Sequence, residues 1–505
     1  MKKMRRIIVL ILALIMVSSM VSCTKGKDEK ENTNQNVPAY NGDEDTSNDR
    51  DDLPAEVCDL GGMTISIYSL CQQFAANEFK TDDTSTVIGQ AVFLRNSNVQ
   101  DRLNCTIEVD EIIGDPVGGT AYNHVNNMVM AGETDTGNHI INTASMKMVS
   151  MSMNGMFADL NTLQYMDLGK NYYSQGYNEA LSFGNSQYCV TGKFTLSYYR
   201  YMIATFINKE MFEERKVELP YQVVRDGKWT FEYMAQLTKN FYEDLGVGGA
   251  KDAEDILGFA GYVGPGSSQT DGYMSSSNLR VMKKDMYNHY VFDIDREAFS
   301  NAIDKVYLLY NSDGAFVSKD FNNEMTVEKF GKGEVAMINY RMYVVEQADI
   351  RASKVATTYG ILPLPKSDEN QENYYSYVQD QCFLWGIPKL YEGDMLQKIG
   401  IFIEAYASES YRTTKNAYYE VALTGRYVND TDSIEMLAIM DSTVYVDPVN
   451  MFNNNGDNSI HLSTNALREV YASGSNTVIN TIEKYINSDT QIVENINKAF
   501  KNIEK

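Results

Sequence analysis

Between Gly61 and Gly155 the hydrophobic period switches repeatedly between two and about 3.6 residues, and this alternation constrains the fold more than any other feature. GGMTISIYSL alternates and reads as a strand. Val92, Arg95, Val99 and Leu103 fall at helical spacing and predict a helix from Ala91 to about Asn104. CTIEVDEII alternates again, HVNNMVMAG reads as a short helix stopped at Gly132, and HIINTA is a small apolar strand leading into the Met-rich helix MKMVSMSMNG. A β-α-β-α-β-α order of this kind predicts an α/β lobe with a largely parallel sheet.

The middle of the chain reads as more helical. Thr230 suits an N-cap, and Phe231, Met234, Ala235, Thr238, Phe241, Tyr242 and Leu245 mark one helix face. A second helix is expected from Arg296 to Tyr310. Between them, GYVGPGSSQTDGYMSSSN is a Gly/Ser-rich loop that reads as too polar for a core. Strand patterns return in VAMIN, YGILPLP and CFLWGIP, and a helix from about Asp394 to Ser408 follows. Strands in two separated blocks imply a chain that passes between two lobes more than once, and about 450 folding residues exceed one ordinary core.

The N-terminus carries a different signal. Lys2, Lys3, Arg5 and Arg6 precede an apolar run from Ile7 to Val17, which is shorter than the roughly 20 residues of a spanning helix. This order reads as a secretory signal peptide, and Met20-Val21-Ser22-Cys23 resembles a bacterial lipoprotein box with Cys23 as the acylated residue. From Thr24 to Pro54, nine acidic and four basic residues accompany a single aromatic, Tyr40. That composition predicts a disordered tether.

Composition excludes more than it selects. The formal charge is −24, and the four cations of the signal leave with it, so the mature chain stands near −28. Such an excess argues against nucleic acid and against docking on anionic lipid without an anchor. Cys58, Cys71, Cys105, Cys189 and Cys382 are scattered and odd in number, so they give no disulfide framework, although one pair stays open. Four histidines, none paired at i, i+4, leave a zinc site without its usual ligands; no metal and no cofactor is expected. GxSxG, HExxH and P-loop motifs are missing, and GKGEVAM lacks the Lys-Ser/Thr ending of a P-loop. A paired-carboxylate glycosidase leaves no sequence motif. A surface-anchored enzyme acting on extracellular glycans therefore remains the alternative reading. Tyrosine is abundant, at 35 residues against two tryptophans, and flat amphipathic rings suit polar ligands with apolar faces.

Several stretches, in this order, resemble a known family. AVFLRNSNVQDRLN, FADLNTLQYMDL, TFINKEMF, LPYQVVRDGKWTFEYM, KFGKGEVAMINYRMY, YGILPLPKSDENQENYYSY and the helix after Gly393 are similar to the extracellular solute-binding proteins of carbohydrate ABC transporters. The resemblance covers roughly residues 60 to 410. It implies a two-lobed clamshell of type II, each lobe a mostly parallel sheet flanked by helices, with the ligand cleft at the hinge. It also implies a monomer that presents a mono- or oligosaccharide to permease subunits in the membrane. VAMIN would re-enter the first lobe and CFLWGIP would lead out of it. The expected organisation is 1–22 signal peptide, 23–54 lipidated cysteine and tether, 55–165 plus 320–390 N-terminal lobe, and 166–319 plus 391–505 C-terminal lobe.

Candidate ligand contacts follow from the chemistry of sugars, which offer polar edges and apolar faces. INYRMY supplies both partners within four residues, as Tyr340, Arg341 and Tyr343; a surface ion pair and a packed ring are the plainer alternative. The resemblance places an aromatic that stacks on sugar in this stretch. Asn142 and Thr143 close a strand at its carboxyl end, where such folds place contacts. His139 stands where family members carry Asp, and Asp135 lies close by. Gln269, Asp271 and Tyr273 come from the polar loop. Tyr198 and Tyr445 are aromatic candidates of the second lobe, with core packing the competing role. Tyr172 and Tyr173 are not assigned to ligand.

Overall fold

The computed structural model describes residues 46–503 apart from 133, 136, 247–250, 265–266, 268, 321, 424–430 and 453–458. The signal peptide, Cys23 and the tether as far as residue 45 lie outside the described residues. In chain order the strands are β1 (Met63–Cys71), β2 (Cys105–Ile113), β3 (Ile140–Ala144), β4 (Ile203–Asn208), β5 (Leu257–Tyr262), β6 (Met282–Lys284), β7 (Tyr290–Phe292), β8 (Ala315–Ser318), β9 (Val335–Arg341), β10 (Tyr359–Leu362) and β11 (Phe383–Gly386). They build two main sheets and one hairpin. The first sheet runs β11-β3-β1-β2, the second β10-β4-β9-β5-β8, and β6 pairs with β7.

The first sheet forms as its sequence predicts. β1 pairs in parallel with β2 and β3, and only β11 is antiparallel. The helix Val87–Leu103 starts where the Thr86 side chain accepts from the Gly89 amide and ends at Asn104, whose φ of 46° closes it in the left-handed region. Gly132, at φ 67°, ends the helix Thr120–Ala131 in the same way. Ile65, Ile67, Val99, Leu103, Trp385, Phe402 and Tyr406 share one core. Each such side chain contributes about 1.5–3 kcal/mol on burial.

The second sheet corrects several expectations. The region between the strand blocks is the more helical one, as expected, but it also holds β4 and β5, whose every residue is buried. VAMIN does not rejoin the first lobe: β9 lies between β4 and β5. β10 also pairs with β4. Most of 320–390 therefore belongs to the second sheet. In the opposite sense, the helix Gly393–Arg412 and Leu163, Tyr172, Tyr173, Val190 and Phe194 share the core of the first sheet. Residues 391–412 and the segments around those side chains therefore belong with it, whereas Tyr177 to Cys189 join the larger core. The second sheet is also mixed rather than mostly parallel, since β4 enters reversed and pairs antiparallel with both its neighbours. The helix at Phe231 is capped by Thr230, which accepts from the Tyr233 amide, but it ends at Thr238 and not at Leu245. Its end is clamped there: a Cβ on Gly258 or Gly314 would meet the Thr238 carbonyl at 2.0 or 2.1 Å.

Two further expectations change. The tether does not extend to Pro54. The Arg102 guanidinium takes the Asp51 carboxylate at 2.5 and 2.8 Å, Lys170 takes Asp52 at 2.6 Å, and Asn171 donates to Asp49 at 2.9 Å. Burial of Asp51 opposes its charge, but the Arg102 bond and the Ser408 contact still hold its carboxyl below the usual value. The described residues of the polar loop after β5 are interior: Ser267 donates to the Tyr262 carbonyl at 2.7 Å, Gln269 accepts from the Tyr262 amide at 3.0 Å, and Tyr273–Ser276 forms a short buried helix. All five described cysteines are free thiols.

Candidate functional site

The two main sheets present their carboxyl ends to one junction. β1 ends at Cys71 and passes into a short turn of helix, Gln73–Ala75, while β9 ends at Arg341 and passes into Met342–Glu346. β4 begins at this end too, because Ile203 pairs with Arg341. β11 begins there from the first sheet, with Phe383 opposite Ala144. In open α/β sheets this edge is where ligands are held.

Here the half-buried ring of Phe74, from the first sheet, stacks on Tyr343, from the second, with centroids 4.3 Å apart. Tyr201 stands 5.4 Å from Phe74. The Arg341 guanidinium lies 4.9 Å from the Tyr343 ring and 5.2 Å from that of Phe74, within cation–π range. Its Nη1 donates to Gln379 Oε1 at 3.1 Å, and its Nε is buried without a hydrogen-bond partner. The Tyr340 and Tyr343 hydroxyls meet at 3.2 Å. Burial pushes the Tyr340 and Tyr201 hydroxyls up, so both stay neutral.

Behind this frame, Gln379 Nε2 donates to Asp271 Oδ2 at 2.8 Å, and Arg468 takes the same carboxylate with Nε and Nη2. Tyr273 and Asn339 add a hydrogen bond of 2.8 Å, and Thr205 donates to Asn339 at 2.8 Å. Arg200 crosses the junction. Its Nε and Nη2 reach the two Glu346 oxygens at 2.8 and 2.9 Å, and its Nη1 reaches the Ala76 carbonyl at 3.1 Å. Glu78 lies alongside, accepting from the Ser197 amide at 3.0 Å. Burial pushes its carboxyl up to about 7 against the pull of Arg200.

The structure thus brings Arg341, Tyr343, Tyr340 and Asp271 together, the last two as supports. Tyr273 lies in the core among Phe231, Tyr310 and Tyr471, behind Asn339. Gln269 is buried, holding the Tyr262 amide. Other candidates fall elsewhere. Asn142 and Thr143 are fully buried and bind neighbouring strands: Asn142 accepts from Ser69 and donates to the Leu384 carbonyl, and Thr143 donates to that of Leu70. Asp135 is exposed before β3, at the amino end of the first sheet and thus opposite the junction. Tyr198 is sealed between Tyr177 and Tyr199. Tyr445 belongs to a separate group in which the Arg280 guanidinium lies 3.1 Å from its ring centroid and 5.0 Å from that of Tyr375. Tyr172 and Tyr173 hold Glu404 through their hydroxyls, the second at 2.7 Å, and burial pushes that carboxyl up to about 7.

Phe74, Tyr201, Gln379 and Arg468 escaped the sequence reading. Phe74 follows an evident strand by three residues, and Gln379 precedes another, so their positions at strand ends were a usable signal. Arg468 carries none.

No family model matches the chain, and no curated protein sequence does. Solved structures do match. A sugar transporter from Rhizobium etli in an open conformation is similar over 85% of this chain and 99% of its own, with 13% identity and a TM-score of 0.56. A cyclo/maltodextrin-binding protein complexed with maltotetraose is similar over 86% and 96%, at 14% and 0.53. An ABC substrate-binding protein from Listeria monocytogenes in complex with cycloalternan is similar over 87% and 99%, at 13% and 0.50. The fold is the two-lobed one of solute-binding proteins. At such identity the likeness concerns the fold alone.

Proposed function

We propose that this chain is an extracellular solute-binding protein, held to the membrane by acylated Cys23, which captures a carbohydrate between its lobes and delivers it to an ABC permease. It has no chemistry of its own. One observation carries the reading: an aromatic pair with one ring from the segment after each sheet's strand, Phe74 on Tyr343, lies against a guanidinium at the opposed carboxyl ends. A ring from each lobe gives a solute different contacts in open and closed states, which is what ligand-driven closure requires. The structural neighbours named for bound sugars support the ligand class. The sequence pattern Met20–Cys23 supports the anchor.

A thermal-shift screen of mono- and oligosaccharides on the mature chain tests the reading. A binding sugar at about 100 times its Kd adds about 2.7 kcal/mol and raises Tm by several degrees. Unchanged melting across neutral, acidic and amino sugars contradicts it. Mass spectrometry of the membrane-extracted N-terminal peptide tests the anchor, and an unmodified Cys23 thiol refutes it.

A further inference from the structure

Within the sugar-receptor reading, on which this inference rests, the open chemistry of Arg341 defines the solute further. Arg102, Arg200, Arg215, Arg225, Arg296, Arg412 and Arg468 each hold a carboxylate within ion-pair distance. Among the described residues no carboxylate lies within ion-pair distance of Arg341, nor of Arg95 or Arg280. Those two are packed away on the rings of Tyr406 and Tyr445, whereas Arg341 stands at the junction of the two sheets. It is half-buried, so part of its hydration is already lost, and an unpaired charge in that position is costly. The acids recorded around the junction are engaged with other groups, Glu346 with Arg200 and Glu78 with the Ser197 amide. Gln379 turns its oxygen to Arg341 and its amide nitrogen to Asp271, and the Asp271 carboxylate is spent on Arg468. Asp380, next to Gln379 in the chain, also acts on Arg468.

The unused atom is informative. In Arg200 and in Arg468 the Nε–Nη2 edge carries the carboxylate, of Glu346 and Asp271 respectively. In Arg341 Nη1 is taken by a neutral amide, while Nε is buried without a partner. A guanidinium presents its donors as a rigid fork that matches a carboxylate. We infer that the captured solute is an acidic sugar whose carboxylate reaches the unpartnered Nε of Arg341, beside the Phe74–Tyr343 rings. The chain's overall negative charge opposes an anion at long range, but salt screens that field beyond about 8–10 Å, whereas the Arg341 contact is direct.

Calorimetric titration of the mature protein with galacturonate, glucuronate and their short oligomers, each beside its neutral counterpart, tests this. The acids are expected to bind about 10- to 100-fold more tightly than the neutral sugars, the ratio of one charge-assisted hydrogen-bond pair. Arg341→Gln is expected to erase that ratio and Arg341→Lys to keep part of it, with melting curves verifying that both variants fold. Equal affinity for acid and neutral sugar overturns the inference and leaves the receptor reading standing. So does a preference for acids that survives in Arg341→Gln. Silence toward every sugar overturns both. Binding of simple carboxylates such as succinate without any sugar upholds the anionic contact and overturns the sugar reading.

Discussion

Arg200 and Arg341 stand at the same junction between the sheets and are held in opposite ways. Arg200 is 3% exposed and saturated, with both Glu346 oxygens and the Ala76 carbonyl on its donors. Arg341 is half-buried, has only neutral partners in Gln379 and the Tyr340 hydroxyl, and is flanked by rings. The first ties the segment after β1 to the segment after β9, and its work is complete within the folded chain. The second is left with donor capacity that the chain does not use. Arg200 is thus a structural clip, and the unpartnered Nε of Arg341, at the strand ends, is the donor left for a solute.

Arg200→Met should show the largest effect. Removing one partner of a buried pair strands the other, so stability falls by about 3–5 kcal/mol, readable in urea unfolding. Phe74→Ala and Tyr343→Ala should weaken sugar binding by about 10- to 100-fold while the protein stays folded, as titration calorimetry would report. A Phe74→Ala protein with unchanged affinity would move the site away from the junction. Acidity gives a smaller effect. Burial raises Glu78 and Glu404 to about 7 and Asp447 to about 6, so between the ordinary carboxylate range and those values the folded state holds more protons than the unfolded one. Their contribution is full at low pH and is lost as pH rises through 7, and Tm should be higher at pH 5 than at pH 8. Glu404→Gln should flatten that slope. The smallest effect is expected for Arg341→Gln without ligand, a change in stability within about 1 kcal/mol, because no buried charge is stranded and only the neutral Gln379 oxygen loses its donor.

The two sheets were not equally legible in the sequence. β2 alternates buried and exposed residues and announces itself by its period. β4 and β5 are buried along their whole length, so MIATFIN and ILGFAGYV carry no period of two and read as neither strand nor helix by pattern. Without those partners in view, nothing local in VAMIN tells which sheet it joins. The site divides in the same way. Arg341 and Tyr343 were visible because a charge and rings crowd four residues at a strand's end. Arg468 meets Asp271 across 197 residues, a distance no local pattern spans. Asn142 and Thr143 share the strand-end position but spend their polar atoms on neighbouring strands, which only the packing reveals.

Amide hydrogen exchange with and without a saturating sugar addresses the location of the site directly. The account predicts slowed exchange in the peptides around Gln72–Ala76, Arg341–Gln347 and Val378–Gln381, drawn from both sheets at once. Unchanged exchange in all three, with protection arising instead around Arg280, Tyr375 and Tyr445, would contradict it.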